Sequence, residues 1–175
     1  MKETLVINLI GGPCSVKSTI AAELFARLKK MGVHCELVSE YIKDRIYEEN
    51  QTMPKNQIAI FGMEHYNISN KLGKVDVIVH DGSFINNIIY KTEENKYFDD
   101  LIISEYKRFW NLDFFIKRGN IEFETYGRIH NLKQSKELDK TIKETYDSYE
   151  LSYIEVESRD AVDKIIPIVL KEINQ

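Results

Sequence analysis

The apolar run Leu5-Val6-Ile7-Asn8-Leu9-Ile10 stops at Gly11-Gly12-Pro13-Cys14-Ser15-Val16-Lys17-Ser18-Thr19, and a helical period begins at once behind it. Nothing else in the 175 residues constrains the fold as strongly. A nearly continuous apolar run is what a strand buried on both faces of a parallel sheet needs. After the turn, Ile20, Ala21, Leu24 and Leu28 line one face of a helix expected from about Lys17 to Met31, with Gly32 as its stop. Strand, tight turn and helix start, in that order, aim successive backbone N–H groups at one point and add the positive end of a helix. That arrangement binds phosphate. The stretch follows the phosphate-loop pattern G-x-x-x-x-G-K-[ST] through Ser18, except that Val16 stands at the second glycine. We take Gly12, Pro13, Cys14, Ser15, Val16, Lys17, Ser18 and Thr19 as the expected binding segment. Lys17 supplies a compact cation for the β- and γ-phosphates, and the Ser18 hydroxyl a ligand or close neighbour of Mg²⁺. If Val16 has positive φ, its β-branched side chain costs about 1–3 kcal/mol of strain. At negative φ the side chain would still fill space where the backbone approaches a phosphate.

Composition bounds the class. With 43% hydrophobic residues, three prolines and eight glycines, the chain is neither disordered nor low-complexity, and its length suits one domain with one core. No apolar run approaches the roughly 20 residues that span a bilayer. The short apolar run before Gly11 lacks the long h-region of a signal peptide. Two cysteines, Cys14 and Cys35, are too few for a disulfide framework, so a soluble protein of a reducing cytoplasm is expected. A net charge of −4 argues against wrapping long nucleic acid, so DNA is the less favoured partner. The four histidines and two cysteines show no zinc-ligand spacing.

Four more β-branched or aromatic runs follow the first: Cys35–Val38, Val75–Val79, Asp113–Ile116 and Tyr153–Val156. Helical segments alternate with them. Pro54 opens one in its first turn, with Ile58, Phe61, Gly62 and His65 on one side. Ser135 to Tyr149 reads as a polar surface helix with sparse apolar anchors. Asp160 to Ile173 carries Val162, Ile165, Ile166, Val169 and Ile173, and Pro167 within it predicts a kink or an early break. Alternation of this kind means an open α/β sheet with right-handed crossovers, and ligands lie beyond the carboxyl ends of its strands.

Those ends carry the chemistry. The second strand leads to Ser39-Glu40-Tyr41, where Glu40 either accepts the proton of an acceptor hydroxyl or caps the helix that follows. The third ends at His80-Asp81-Gly82-Ser83, and an acid after four apolar residues suits a Mg²⁺ contact, direct or through water. Ser83 caps the next helix. The fourth ends at Lys117-Arg118 and runs into a polar stretch reaching Gly127-Arg128-Ile129-His130, the size of a lid. Arg118 and Arg128 on such a flap would cover a transferring phosphoryl group, with Lys117 and His130 beside them; the plain alternative is a solvated loop.

Taken together, Gly-Gly-Pro-Cys-Ser-x-Lys-Ser-Thr, Val-Ser-Glu-Tyr-Ile-Lys-Asp, Lys-Val-Asp-Val-Ile-Val-His-Asp and Gly-Arg-x-x-Asn resemble the phage-encoded AAA-type P-loop ATPase/kinase proteins. That group is related to ribosylnicotinamide kinase and, more distantly, to thymidylate and deoxynucleoside kinases. The resemblance spans Leu5 to about Ile173 and implies a three-layer, nucleotide-kinase-like P-loop fold. Its five-stranded parallel sheet would have the order 2-3-1-4-5, in one domain over 1–175 with a short lid at about 118–132. It further implies ATP and Mg²⁺ on Lys17 and Ser18, with Glu40 as base, Asp81 as the strand-three acid and Arg128 on the lid. A nucleoside, a nucleotide or a modified DNA base would be the acceptor, and the chain a monomer or homodimer in the cytoplasm (the host's, if phage-encoded). Two positions depart from the group: Val16 for glycine, and Asp81-Gly82-Ser83 where relatives often carry Asp-Ser-Pro.

Overall fold

The computed structural model describes residues 3–41, 52–119 and 132–174. Its elements, in chain order, are β1 (Leu5–Ile10), α1 (Lys17–Lys30), β2 (Cys35–Val38), α2 (Gln57–Ser69), β3 (Val77–His80), α3 (Asn86–Tyr90), α4 (Lys96–Lys107), β4 (Trp110–Lys117), α5 (Leu132–Ser148), β5 (Ile154–Glu157) and α6 (Ala161–Ile173). Short 3₁₀ turns precede α2, at Met53–Lys55, and α6, at Ser158–Asp160.

The five strands form one parallel sheet in the order β2-β3-β1-β4-β5, as the resemblance implied. Because strand side chains alternate, β1 divides between two cores. Leu5, Ile7 and Leu9 join Ile20, Leu24 and Leu28 of α1 and Val162, Ile165 and Val169 of α6 on one face. Val6 and Ile10 join Phe61 of α2, Ile102 of α4 and Ile142 of α5 on the other. All six β1 residues are buried, which explains why this run reads so plainly in the sequence.

Several boundaries differ from expectation, each for a local reason. The third strand runs from Val77 to His80 rather than from Val75 to Val79. Before it, the Asp76 and Val77 amides bond to His34 carbonyl oxygen at 2.7 and 3.2 Å, outside the ladder. The fourth is longer than Asp113–Ile116: Trp110 and Asn111 already pair with Leu5 and Val6, although Asn111 and Asp113 interrupt the apolar pattern. The fifth is shifted by one residue. α2 begins at Gln57, not in the turn containing Pro54, because the Asn56 side chain accepts the Ala59 amide and caps it. Its inward face is Ile60, Phe61, Glu64 and Ile68, while Ile58 is 63% exposed. α5 starts at Leu132, three residues ahead of Ser135. α6 continues to Ile173 with Pro167 inside it and on its exposed side, so no early break occurs.

α4 was not foreseen at all. Its signal was present: Asn95 accepts the Phe98 amide as a cap, and Phe98, Ile102 and Tyr106 repeat every four residues. Among the described residues no helix is long and apolar enough to cross a membrane.

Candidate phosphate-binding site

The turn after β1 folds back over the start of α1. Gly11 has φ 142°, Cys14 φ 60° and Val16 φ 57°. Counting back from Lys17, the first glycine of the pattern is Gly11, which the expected segment omitted, and its conformation is one that L side chains rarely adopt. Val16 therefore occupies the left-handed region at the N-cap of α1, the strained alternative of the two weighed above. Its side chain is partly buried against the α1/α6 core, so the methyl groups have apolar neighbours. Glycine there relieves strain but loses packing. Val16→Gly is accordingly expected to change nucleotide affinity less than about threefold, under roughly 0.7 kcal/mol, by calorimetric titration of the two proteins.

Lys17 lies over the loop. Its Nζ donates to Gly11 O at 2.6 Å, to Gly12 O at 3.2 Å and to Ser15 Oγ at 3.4 Å. Ser15 Oγ in turn donates to Gly12 O at 2.9 Å. These bonds hold the ammonium group at the mouth of the turn, beside the amides that open α1.

α5 closes one side of the loop. Ser135 Oγ donates to Pro13 O at 2.6 Å, and Asp139 Oδ1 accepts the Gly12 amide at 2.6 Å. A Cβ on Gly12 would lie 2.5 Å from Ser135 O and 2.9 Å from Asp139 Oδ1. Gly12 is thus fixed by close approach of a helix. Gly12→Ala is expected to cost about 1–3 kcal/mol in denaturant unfolding, since backbone must move to admit the methyl. Sequence reasoning missed Ser135 and Asp139. Their signal is the stripe Ser135, Asp139, Ile142, Tyr146, whose spacing fits one helix face with two polar members pointing inward.

The two strands beside β1 on that side of the sheet, β3 and β2, are each followed by a carboxylate. Asp81 is 3% exposed, and its Oδ1 has no hydrogen-bond partner among the described residues. Glu40 at the end of β2 is half-buried. Its charge reaches two groups from other elements. Tyr90 is held above its ordinary range by burial, then by Glu40 and Asp139. Glu64 of α2 is pushed up to about 8 by burial, with Glu40 adding to the rise and a hydrogen bond from Asn87 opposing it. Asn87 Nδ2 donates to Glu64 Oε2 at 2.8 Å. The ends of β2 and β3, α2, α3 and α5 therefore converge beside the loop. Glu64 and Asn87 were not among the expected site residues.

Beneath the loop lies a buried polar row that the strand register builds. Asn8 pairs with His80 on β3 and with Asp113 on β4. The Asn8 side chain donates to Asp113 Oδ1 at 2.7 Å and accepts from His80 Nδ1 at 3.0 Å. With the proton on Nδ1, His80 Nε2 faces Gly82 as an acceptor, and burial lowers the pKa of this ring to about 4. The Tyr146 hydroxyl bridges Asp113 and Ser83, lying 2.9 Å from Ser83 Oγ. Burial raises Asp113 to about 6 against the pull of Tyr146, Asn8 and Tyr106. Ser83 also accepts the Ile85 amide at 3.3 Å, a contact at the opening of α3.

A family model described as AAA domain matches residues 6–164, most of the chain and all of the loop, strand ends and α5 just described. The chain belongs to this AAA domain family. A solved structure of deoxyadenosine kinase from M. mycoides, with products dCMP and a flexible dCDP bound, superposes on this AAA domain with a TM-score of 0.54. The two are 17% identical, and the match covers 98% of this chain and 99% of the other. The architecture is therefore that of a P-loop nucleotide kinase. Comparison with curated proteins gives no match.

Within this AAA domain, Lys17 and Ser18 open α1 behind the turn that follows β1, and Asp81 and Glu40 follow the ends of β3 and β2. Arg118 is described but does not stand free on a flap. It follows β4 directly, is tied to α5, and its side chain is 9% exposed. Lys117 pairs with Glu155 at 2.7 Å. Arg128 and His130 lie outside the described residues, as does most of the expected lid. The buried, unpartnered Oδ1 of Asp81 and the hydroxyl of Ser18 at the first turn of α1 are hard oxygen donors of the kind Mg²⁺ takes alongside phosphate and water.

Proposed function

We propose that the protein is a Mg·ATP-dependent phosphotransferase acting on a nucleoside, a nucleotide or a modified DNA base. The observation that carries this reading is the phosphate loop capped by Lys17, with the carboxyl groups of Asp81 and Glu40 at the two strand ends beside it. In this reading the segment from Gly11 to Thr19 cradles the triphosphate, Lys17 neutralises charge on its β- and γ-oxygens, and Ser18 and Asp81 hold the cation. Mg²⁺ held by these two residues would supply positive charge to offset that of the phosphates. Glu40 takes the proton from the acceptor hydroxyl. A new O–P bond forms to the γ-phosphorus as the bond to the β-phosphate oxygen breaks, leaving ADP. Arg118 and Arg128 supply further cations for the transferred oxygens. The protein works as a single cytoplasmic domain with a lid over about 118–132, as a monomer or a homodimer, and DNA is the less favoured acceptor.

ADP release with a panel of nucleosides, nucleotides and oligonucleotides tests the proposal. Turnover with one acceptor class supports it. No turnover with any acceptor, from the native chain or from Val16→Gly, overturns it.

A second reading is a nucleotide-binding or sensing protein with weakened chemistry. The left-handed Val16 favours it, because the strain is stored where the loop must grip phosphate. Tight nucleotide binding without turnover would select this reading, and fast turnover with any acceptor would remove it.

A further inference from the structure

Asp113 stands inside the sheet with a charge to satisfy. It is 3% exposed on β4, and a buried carboxylate is costly unless its oxygens are filled. Asn8 of β1 fills Oδ1, donating from Nδ2 at 2.7 Å, and the Tyr146 hydroxyl of α5 fills Oδ2. The orientation of the Asn8 amide is dictated from further out. Asn111 gives its Nδ2 hydrogens to Tyr106 O at 2.6 Å and Phe109 O at 3.1 Å, so its Oδ1 is left to accept from Asn8 Nδ2 at 3.0 Å. With both Nδ2 hydrogens directed at β4, Asn8 turns Oδ1 toward His80, which must donate from Nδ1 at 3.0 Å.

Two links therefore leave the one carboxylate. The first runs through Asn8 to His80, the residue before Asp81. The second runs through Tyr146 to Ser83, two residues after Asp81, across 2.9 Å between the hydroxyls. Asp81 is held between them. Its amide donates to Val38 O at 2.9 Å, which fixes the entry to the turn without aiming the carboxyl. Its Oδ1 has no partner among the described residues, and Gly82 beside it has φ 153°, a conformation that L side chains rarely adopt. The flanking anchors supply the direction that the turn itself lacks. Tyr146 also lies two helical turns along α5 from Asp139, roughly 10 Å, and Asp139 accepts the Gly12 amide. One helix thus holds both the phosphate loop and the turn that carries Asp81.

We propose that Asp113 is the positioning centre of the site: through Asn8 and His80 on one side, and Tyr146 and Ser83 on the other, it sets where the Asp81 carboxyl stands relative to the phosphate loop. All five act through Asp81 and are positioning residues. An apolar row would pack the same strands without the desolvation of a charge. What the polar row adds is direction, since each hydrogen bond in it fixes the orientation of the next group. This inference rests on the phosphotransfer reading for the task of Asp81, the cation contact; the anchoring of the turn stands on the row alone.

Amide hydrogen exchange and Mn²⁺ binding of the full chain test it, in the native protein, Tyr146→Phe, Asp81→Asn and the double variant. Phenylalanine keeps the ring and its edge contact with Tyr153, and removes only the hydroxyl. The Asp81 and Asn86 amides are bonded to Val38 O and Ser83 O. In Tyr146→Phe their exchange should quicken about tenfold relative to that of Leu24 in the opposite core. Mn²⁺ is titrated into the ADP-loaded chain, with the free ion followed by electron paramagnetic resonance. It should bind about tenfold more weakly to Tyr146→Phe, at unchanged ADP affinity without metal. In the Asp81→Asn background, Tyr146→Phe should weaken Mn²⁺ no further, because the hydroxyl acts through that carboxyl.

Unchanged relative exchange at Asp81 and Asn86 in a folded Tyr146→Phe overturns the proposal. So does a loss of Mn²⁺ affinity that multiplies with that of Asp81→Asn. Should Tyr146→Phe not fold, Ser83→Ala cuts the same link from its other end and is read by the same two amides, with the same outcomes. A native chain that binds no Mn²⁺ with ADP refutes the phosphotransfer reading, and the exchange rates then decide the anchoring by themselves.

Discussion

Lys17→Met is expected to reduce phosphoryl transfer by a factor on the order of 10²–10³ while the protein stays folded. The ammonium group is held over the loop by three contacts, to Gly11 O, Gly12 O and Ser15 Oγ, all within the same turn. Losing them costs about 0.5–1.5 kcal/mol per bond at most, and the released carbonyls at the mouth of the loop can bond to water. The larger loss is in the transition state. Charge spreads over the transferred oxygens, and a fixed cation in a water-poor site stabilises it by several kcal/mol. Measured together, kcat/KM should fall by that factor with the thermal midpoint shifted only a few degrees. A variant that retains most of its turnover would show that the phosphates do not sit at Lys17.

Glu64→Gln is expected to make the protein more stable than the native chain at alkaline pH and no different near pH 5. The folded carboxyl titrates at about 8, against an ordinary value of 4.5, chiefly because it is buried. Between those two values the folded state keeps a proton that the unfolded chain has released, so native stability falls as pH rises through this window. The full loss, reached above the folded pKa, is on the order of 5 kcal/mol. Glutamine stays neutral, is nearly isosteric and can still accept from Asn87 Nδ2. Denaturant melts of both proteins from pH 5 to 9 should diverge progressively from pH 5 to about 8 and run parallel above that. Below about pH 6.5 the buried His80 and Asp113 titrate with opposite effects on stability, so the range from 6.5 to 8 reports Glu64 most cleanly. Parallel curves across that range would show that Glu64 is ionised and solvated in the folded state.

The legible parts of this molecule were those where one local signal decides the outcome. β1 is buried on both faces, so six consecutive positions declare it, and the turn behind it has only one common use. The order of the strands came from resemblance, because nothing in a single strand's sequence says which neighbour it pairs with. α2 was found but rotated: Ile58, placed on one side with Phe61, is exposed, whereas Glu64 and Gln57, outside that set, are buried. Hydrophobicity alone cannot reveal a carboxyl that keeps its proton.

The same limit hid Asp139. On a helix this polar, a carboxylate facing inward looks like one facing water until the Gly12 amide and Arg118 are brought against it. Arg118 was singled out for its charge, and what the sequence did not show is its bonding to Ser135 and Asp139 of α5.

The most direct measurement is a titration of the native chain with ATP in Mg²⁺, followed by calorimetry and repeated with Lys17→Met. One nucleotide per chain with a micromolar Kd, weakened at least tenfold by Lys17→Met, is the expected result. No binding at millimolar ATP, or binding indifferent to Lys17, would contradict it.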